Sequence, residues 1–156
     1  LAYCLIPNHF HFVVRIKPVD EQIIEAIKTN STRASVAFLE GQTEYYQFLE
    51  AQFKRFFLTH ALAIRKQEKR KGALFQKGFK RVLIKTDERL IRTIAYVHHN
   101  PFHHLLSSTY TSCEYSSYKS YLKIESVLIN RAYLMNEKYF DFSTSLKKQY
   151  KRLLKE

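Results

Sequence analysis

The sequence has no tryptophan, one methionine, two cysteines, three glycines and three prolines in 156 residues. So little glycine and proline excludes a collagenous or low-complexity chain. No apolar run approaches the roughly 20 residues that span a bilayer, and no signal peptide is visible. Cys4 and Cys113 show no Cys-x-x-Cys spacing, so we expect two free thiols in a reducing cytoplasm. Acids are scarce: 14 Asp and Glu stand against 26 Lys and Arg, a net charge of +12. That excess favours a polyanionic partner, nucleic acid or an anionic membrane surface, over a merely basic soluble protein. The sequence opens at Leu1, already in strand-like residues and without methionine, so its natural start is expected upstream.

What is present is a globular composition, 46% hydrophobic and 15% aromatic. We expect one domain over 1–156, with a core over about 1–121 and a helical C-terminal extension over 122–156. Leu1 to Leu5 and Phe10 to Lys17 read as strands split by Ile6-Pro7-Asn8, a hairpin or a bulged pair. Asp20 caps a short helix to Thr29, and the polar stretch 30–43 is expected to be a mobile loop. Glu44 to Lys69 carries aromatics at three- and four-residue steps, the longest helical pattern, and Gly72 is expected to break it. Leu74-Phe75 and Phe79 to Lys85 read as strand, with a bulge or turn at Gly78. Thr86 or Asp87 caps a further helix that should stop before Pro101. Leu105 to Tyr121 suits irregular surface, and Glu125 to Asn136 and Ser143 to Leu154 suit short helices.

Two stretches carry chemistry. Along a strand, residues two apart leave the same face, so His9 and His11 point one way while Phe10 and Phe12 point the other, into a core. Two imidazoles at that spacing make half of a divalent-metal site, or ordinary surface histidines of a half-solvated sheet. On the helix from Asp87, Leu90, Ile91, Ile94 and Val97 form the apolar face. Tyr96 falls opposite, with Arg89, Arg92, His99 and Asn100, where a structural tyrosine would not normally sit.

Four blocks, in order, resemble the single-tyrosine HUH transposases, which include the REP-associated tyrosine transposases. They are Tyr3-Cys4-Leu5-Ile6-Pro7-Asn8-His9-Phe10-His11-Phe12, the segment Gly72 to Arg81, Tyr96-Val97-His98-His99-Asn100-Pro101, and Tyr115-Ser116-Ser117-Tyr118. The resemblance implies an α+β fold, a ferredoxin-like antiparallel sheet backed by helices, from which the family's N-terminal strand and helix are missing here. It implies metal-dependent cleavage and rejoining of single-stranded DNA, beside a hairpin, through a 5′-phosphotyrosine on Tyr96. It also implies Mg²⁺ or Mn²⁺ on His9 and His11, with Asn100 as third ligand and His99 as second choice. A phenol is a poor nucleophile at neutral pH, so the phosphate must be polarised by that ion. Arg65, Lys66, Lys69, Arg70, Lys71, Lys77, Lys80, Arg81 and Lys85, with Arg89 and Arg92, suit a groove that tracks the DNA backbone. Oligomeric state is open between monomer and homodimer. Two rival readings are an inactive hairpin-binding module derived from a transposase, and a metal-dependent nuclease that uses water.

Overall fold

The computed structural model describes residues 1–76, 79–122 and 148. In chain order the elements are β1 (Ala2–Ile6), β2 (His9–Val13), α1 (Glu21–Thr29), α2 (Arg33–Leu39), α3 (Tyr45–Gln67), α4 (Asp87–His103) and α5 (Tyr118–Leu122). The fold is α+β, with a two-stranded antiparallel sheet among the described residues. The chain forms two compact units, one from Leu1–Ile16 with the described residues from Val82 on, the other from Lys17–Arg81. No helix among the described residues is long and apolar enough to cross a membrane.

In the first unit, β1 and β2 form a hairpin around Pro7-Asn8, pairing Tyr3 with Phe12, Cys4 with His11 and Ile6 with His9. β2 ends at Val13, short of the expected Lys17. Residues 115–117 run along the other edge of β1, where the Leu5 N–H donates to Tyr115 O (2.9 Å) and the Ser117 N–H to Tyr3 O (3.0 Å). α4 starts at Thr86, whose hydroxyl accepts the Arg89 N–H at 3.2 Å, and Asp87 and Glu88 complement the positive helix end. It packs on both strands. The core joins Ala2, Cys4 and Val13 to Leu90, Ile94, Ala95 and Val97, closed by Tyr110, Tyr118 and Tyr121.

The hairpin presents the opposite face to the core from the one its hydrophobic pattern suggests. Paired residues share a face, so Ala2, Cys4, Val13, His9 and His11 lie together under α4. Phe10 and Phe12 lie on the other side, their rings 5.1 Å apart, and Phe12 stays 46% exposed. The small residues Ala2 and Cys4 let the helix approach, and the imidazoles come with them.

The second unit is helical. Asp20 accepts the Ile23 N–H at 2.8 Å to open α1. Thr32 accepts the Ser35 N–H at 3.1 Å to open α2, which occupies the middle half of the stretch expected to be a mobile loop. That helix holds because Phe38 packs on Tyr45 and Phe48 of α3, with ring centroids 5.5 and 5.4 Å away. α3 opens where Gln47 Oε1 accepts the Glu44 N–H at 2.8 Å. It closes at Lys69, before Gly72: Lys69 takes a left-handed φ of 48° and the Arg70 N–H returns to Arg65 O at 3.1 Å.

Among the described residues, 74–76 and 79–85 form no strand; Val82 and Leu83 have no ladder partner there and are 69% and 74% exposed. Phe75 and Phe79 instead cover α3, at 5.4 Å each from Phe57. α4 does not stop before Pro101 but runs through it to His103. A proline there removes only the N–H that would have bonded the Val97 carbonyl, one turn from the helix end. The helix then closes with Leu105 at φ 56°. Leu105 to Tyr121 is not purely surface, since Tyr110, Ser116, Ser117, Tyr118 and Tyr121 are buried. The predicted Gly78 turn and the helices over 125–136 and 143–154 lie outside the described residues.

Candidate active site

The register that turns His9 and His11 toward α4 places them against its Tyr96 and Asn100. His9 and His11 stand edge to face, with centroids 5.1 Å apart. His9 Nε2 lies 3.1 Å from Asn100 Oδ1, and His9 Nδ1 lies 2.8 Å from Asn8 Oδ1. The Tyr96 ring meets His11 edge to face at 5.6 Å. Asn100 is buried in the helix–hairpin seam, whereas Tyr96 is 47% exposed. Asn100 therefore flanks the apolar face of α4 rather than lying opposite it, one turn beyond the tyrosine. The seam thus brings a half-exposed phenol beside His11, and His11 beside His9 and the Asn100 amide.

Two buried atoms here have no hydrogen-bond partner among the described residues: His11 Nε2 and Asn100 Nδ2. Burial, and then the neighbouring His9 and His104, hold His11 below the usual histidine range, so its ring is neutral with a lone pair to give. Both nitrogens of His9 face amide oxygens. A neutral imidazole has one N–H. When Nδ1–H donates to Asn8, Nε2 and Asn100 Oδ1 meet lone pair to lone pair, a contact that a shared cation would relieve. Adjacent donors on one octahedral ion, each about 2.1 Å away, stand about 3.0 Å apart. Two imidazole nitrogens and an amide oxygen thus fit a borderline divalent ion such as Mn²⁺. Among the described residues, no three His, Cys, Asp or Glu side chains are grouped to hold an ion by themselves, so three protein ligands here would have to include the amide. His99, the alternative third ligand, is engaged elsewhere: its Nδ1 lies 2.8 Å from the Tyr110 hydroxyl.

Two features escaped the sequence reading. His104 lies 4.9 Å from the His9 ring. It follows Pro101, beyond the expected end of the helix, and comes into reach of His9 because α4 runs on to His103. His98 is 1% exposed, and its Nε2 lies 2.7 Å from Ser117 Oγ. That hydroxyl also accepts the Tyr3 N–H at 2.9 Å and donates to Tyr3 O at 3.1 Å. One arrangement satisfies all three bonds: His98 Nε2–H and Tyr3 N–H donate to the serine oxygen, and the serine proton goes to Tyr3 O. Burial pushes His98 down to about 3. This network fastens α4 to β1 directly behind the site.

The basic residues divide. Arg89 and Arg92 sit on α4, and the Arg92 guanidinium donates to Glu88 at 3.2 Å. Arg65, Lys66, Lys69, Arg70, Lys71, Lys80 and Arg81 belong to the second unit, and Arg81 is paired with Glu50 at 2.8 Å. Lys77 lies outside the described residues. Tyr115, read from the sequence as a packing residue, is 63% exposed, whereas Tyr118 is 4% exposed. Comparison with family models, curated proteins and solved structures gave no match to the chain.

Proposed function

We propose that the chain is a metal-dependent transposase that cuts and rejoins single-stranded DNA at hairpin-flanked sites through Tyr96. The convergence of Tyr96, His9, His11 and Asn100 in one helix–hairpin cleft carries this reading, because residues 91 positions apart meet within 3.1 Å. A divalent ion, Mg²⁺ or Mn²⁺, held by His9, His11 and Asn100 would polarise the scissile phosphate and stabilise the departing oxygen. Tyr96 gives up its proton and attacks phosphorus; the P–O3′ bond breaks, and the 3′ oxygen takes up a proton. The covalent 5′-phosphotyrosine conserves the bond until a second 3′-OH reverses the step. His98 and Ser117 keep α4 seated on β1 so that the tyrosine stays over the imidazoles. The finer fold under this reading is ferredoxin-like, with the hairpin, the 115–117 edge and α4 as parts of it. It would act in the cytoplasm as a monomer or homodimer.

The test is a denaturing gel with Mn²⁺ and single-stranded DNA carrying a hairpin end from beside the gene. The intact chain should give a covalent protein–DNA adduct. Tyr96→Phe should bind the DNA and give none. His9→Ala with His11→Ala should bind but not cut. An adduct that survives in Tyr96→Phe, or phosphotyrosine mapped to another position, defeats the proposal. Cut product without adduct would identify a nuclease that uses water.

A further inference from the structure

The second unit carries a patch that the Tyr96 chemistry does not use. Phe53 and Phe57 of α3 are the rings that Phe75 and Phe79 cover. Phe56 is left 60% exposed. Its ring lies 8° from parallel with His60, centroids 6.4 Å apart, and His60 lies 26° from parallel with Phe75 at 6.2 Å. The result is a short row of nearly parallel, offset rings on the rim of the aromatic cluster, of which Phe56 and His60 are exposed. Nine residues on from Phe56, about 14 Å along the helix at its usual rise, begins Arg65-Lys66-Gln67-Glu68-Lys69-Arg70-Lys71. All five cations in that run are exposed. Among the described residues none of them has a carboxylate partner, in contrast to Lys54 and Arg81, which both pair with Glu50.

Unpaired cations call for a polyanion. Exposed flat rings call for flat partners. An acidic protein would answer the charge and leave the rings bare, and duplex DNA would hide its base faces inside its own stack. A single strand supplies both groups at a spacing of a few ångströms per nucleotide. We propose that the Phe56–His60 rim and the 65–71 run form a track for single-stranded nucleic acid, with bases stacked on the rings and phosphates on the cations. The choice of DNA over RNA rests on the transposase reading; the track itself does not.

The experiment is fluorescence anisotropy on the full chain across a salt series, comparing labelled dT12 with a 12-mer of abasic sites carrying the same phosphates. Stacking should favour dT12 by about tenfold per engaged base. Phe56→Ala with His60→Ala should bring the ratio near one and leave the salt slope unchanged. Phe56→Tyr, which keeps the ring, should keep the ratio and serve as the folding-matched control. Lys66→Ala, Lys69→Ala and Arg70→Ala together should flatten the slope of log affinity against log salt by about 2, at roughly 0.7 per lost phosphate contact, while the ratio holds. Equal binding of the two oligomers, an unchanged ratio in the double variant, or competition by polyglutamate as strong as by dT12 would overturn the track. So would a dimer in sedimentation velocity that Phe56→Ala dissolves, since the face would then pair two copies. Scoring the Tyr96 adduct separately keeps the two proposals apart. An adduct with an unchanged ratio removes the track alone, and a lost ratio without any adduct upholds the track and removes the catalytic reading.

Discussion

The two units bury their aromatic residues in different ways. In the first, Tyr110, Tyr118 and Tyr121 are sealed at 8% exposure or less around Ile94 and Ala95, which are fully buried. In the second, Phe48 and Ile27 are the buried hydrophobics among the described residues, while Phe56, Leu58 and Leu62 remain more than half exposed. The first unit also buries polar groups, His98, Asn100, Ser116 and Ser117, and ties His98 and Ser117 to the β1 backbone. A sealed core tied to the backbone through His98 and Ser117 holds its side chains in fixed places. A loosely covered helix keeps its side chains available to a partner.

The largest effect of a substitution should come from breaking the sealed unit. Ile94→Ala removes a fully buried side chain and should cost about 3 kcal/mol, whereas Phe56→Ala in the second unit should change stability by about 0.5 kcal/mol or less. Urea melts of both variants check this, and equal losses would erase the contrast.

Acid should act on the same unit. His98 falls to about 3 in the fold from an ordinary value of 6.5. The folded chain therefore keeps it neutral where the unfolded chain protonates it. The stabilisation is complete above pH 6.5 and is lost as pH falls toward 3, by about 1.4 kcal/mol per pH unit. His98→Gln should flatten that part of the stability–pH curve.

Ser117→Ala strands His98 Nε2 and a Tyr3 backbone group, which should cost about 2 kcal/mol. Because the network holds α4 over β1, adduct formation should fall in the same variant, at temperatures where it is still folded. Unaltered adduct yield would show that the network supports stability alone.

The smallest effect has the opposite sign. α2 ends on Gly41 with φ 72°, the residue that suits a left-handed closure, while α3 and α4 end on Lys69 and Leu105 at φ 48° and 56°. Leu105 is 92% exposed and gains nothing from burial. Leu105→Gly should raise stability by about 1 kcal/mol, measured as a higher melting temperature.

How much of this was legible follows from the kind of signal. The caps Asp20 and Thr86, the Pro7-Asn8 hairpin and the long α3 were readable because they depend on local chemistry. The face of β2 was misread because alternation names two faces and not which one is covered; Ala2 and Cys4, on the neighbouring strand, decide it. α2 was missed because its stability comes from Phe38 meeting Tyr45 and Phe48, a contact outside its own sequence window. The strand read over 79–85 had the composition of a strand, but among the described residues no neighbour supplies a ladder. His9, His11, Tyr96 and Asn100 could be singled out one by one, yet their meeting is tertiary. His104 stayed hidden behind Pro101, and Ser117 behind an unremarkable serine-rich stretch.

The chain order of the first unit bears on how the protein could be rebuilt. The second unit is spliced between the strand that carries the histidines and the helix that carries the tyrosine, as one excursion over residues 17–81. Closure entropy grows only with the logarithm of loop length, so replacing that excursion by a linker of about 20 residues would alter it by about 1 kcal/mol. On closure entropy alone, the length of what is inserted there matters little to the first unit. A shortened chain with another insert at that point is then a way to ask whether the His9–Tyr96–Asn100 arrangement forms from the first unit's own residues, by domain grafting rather than by point substitution.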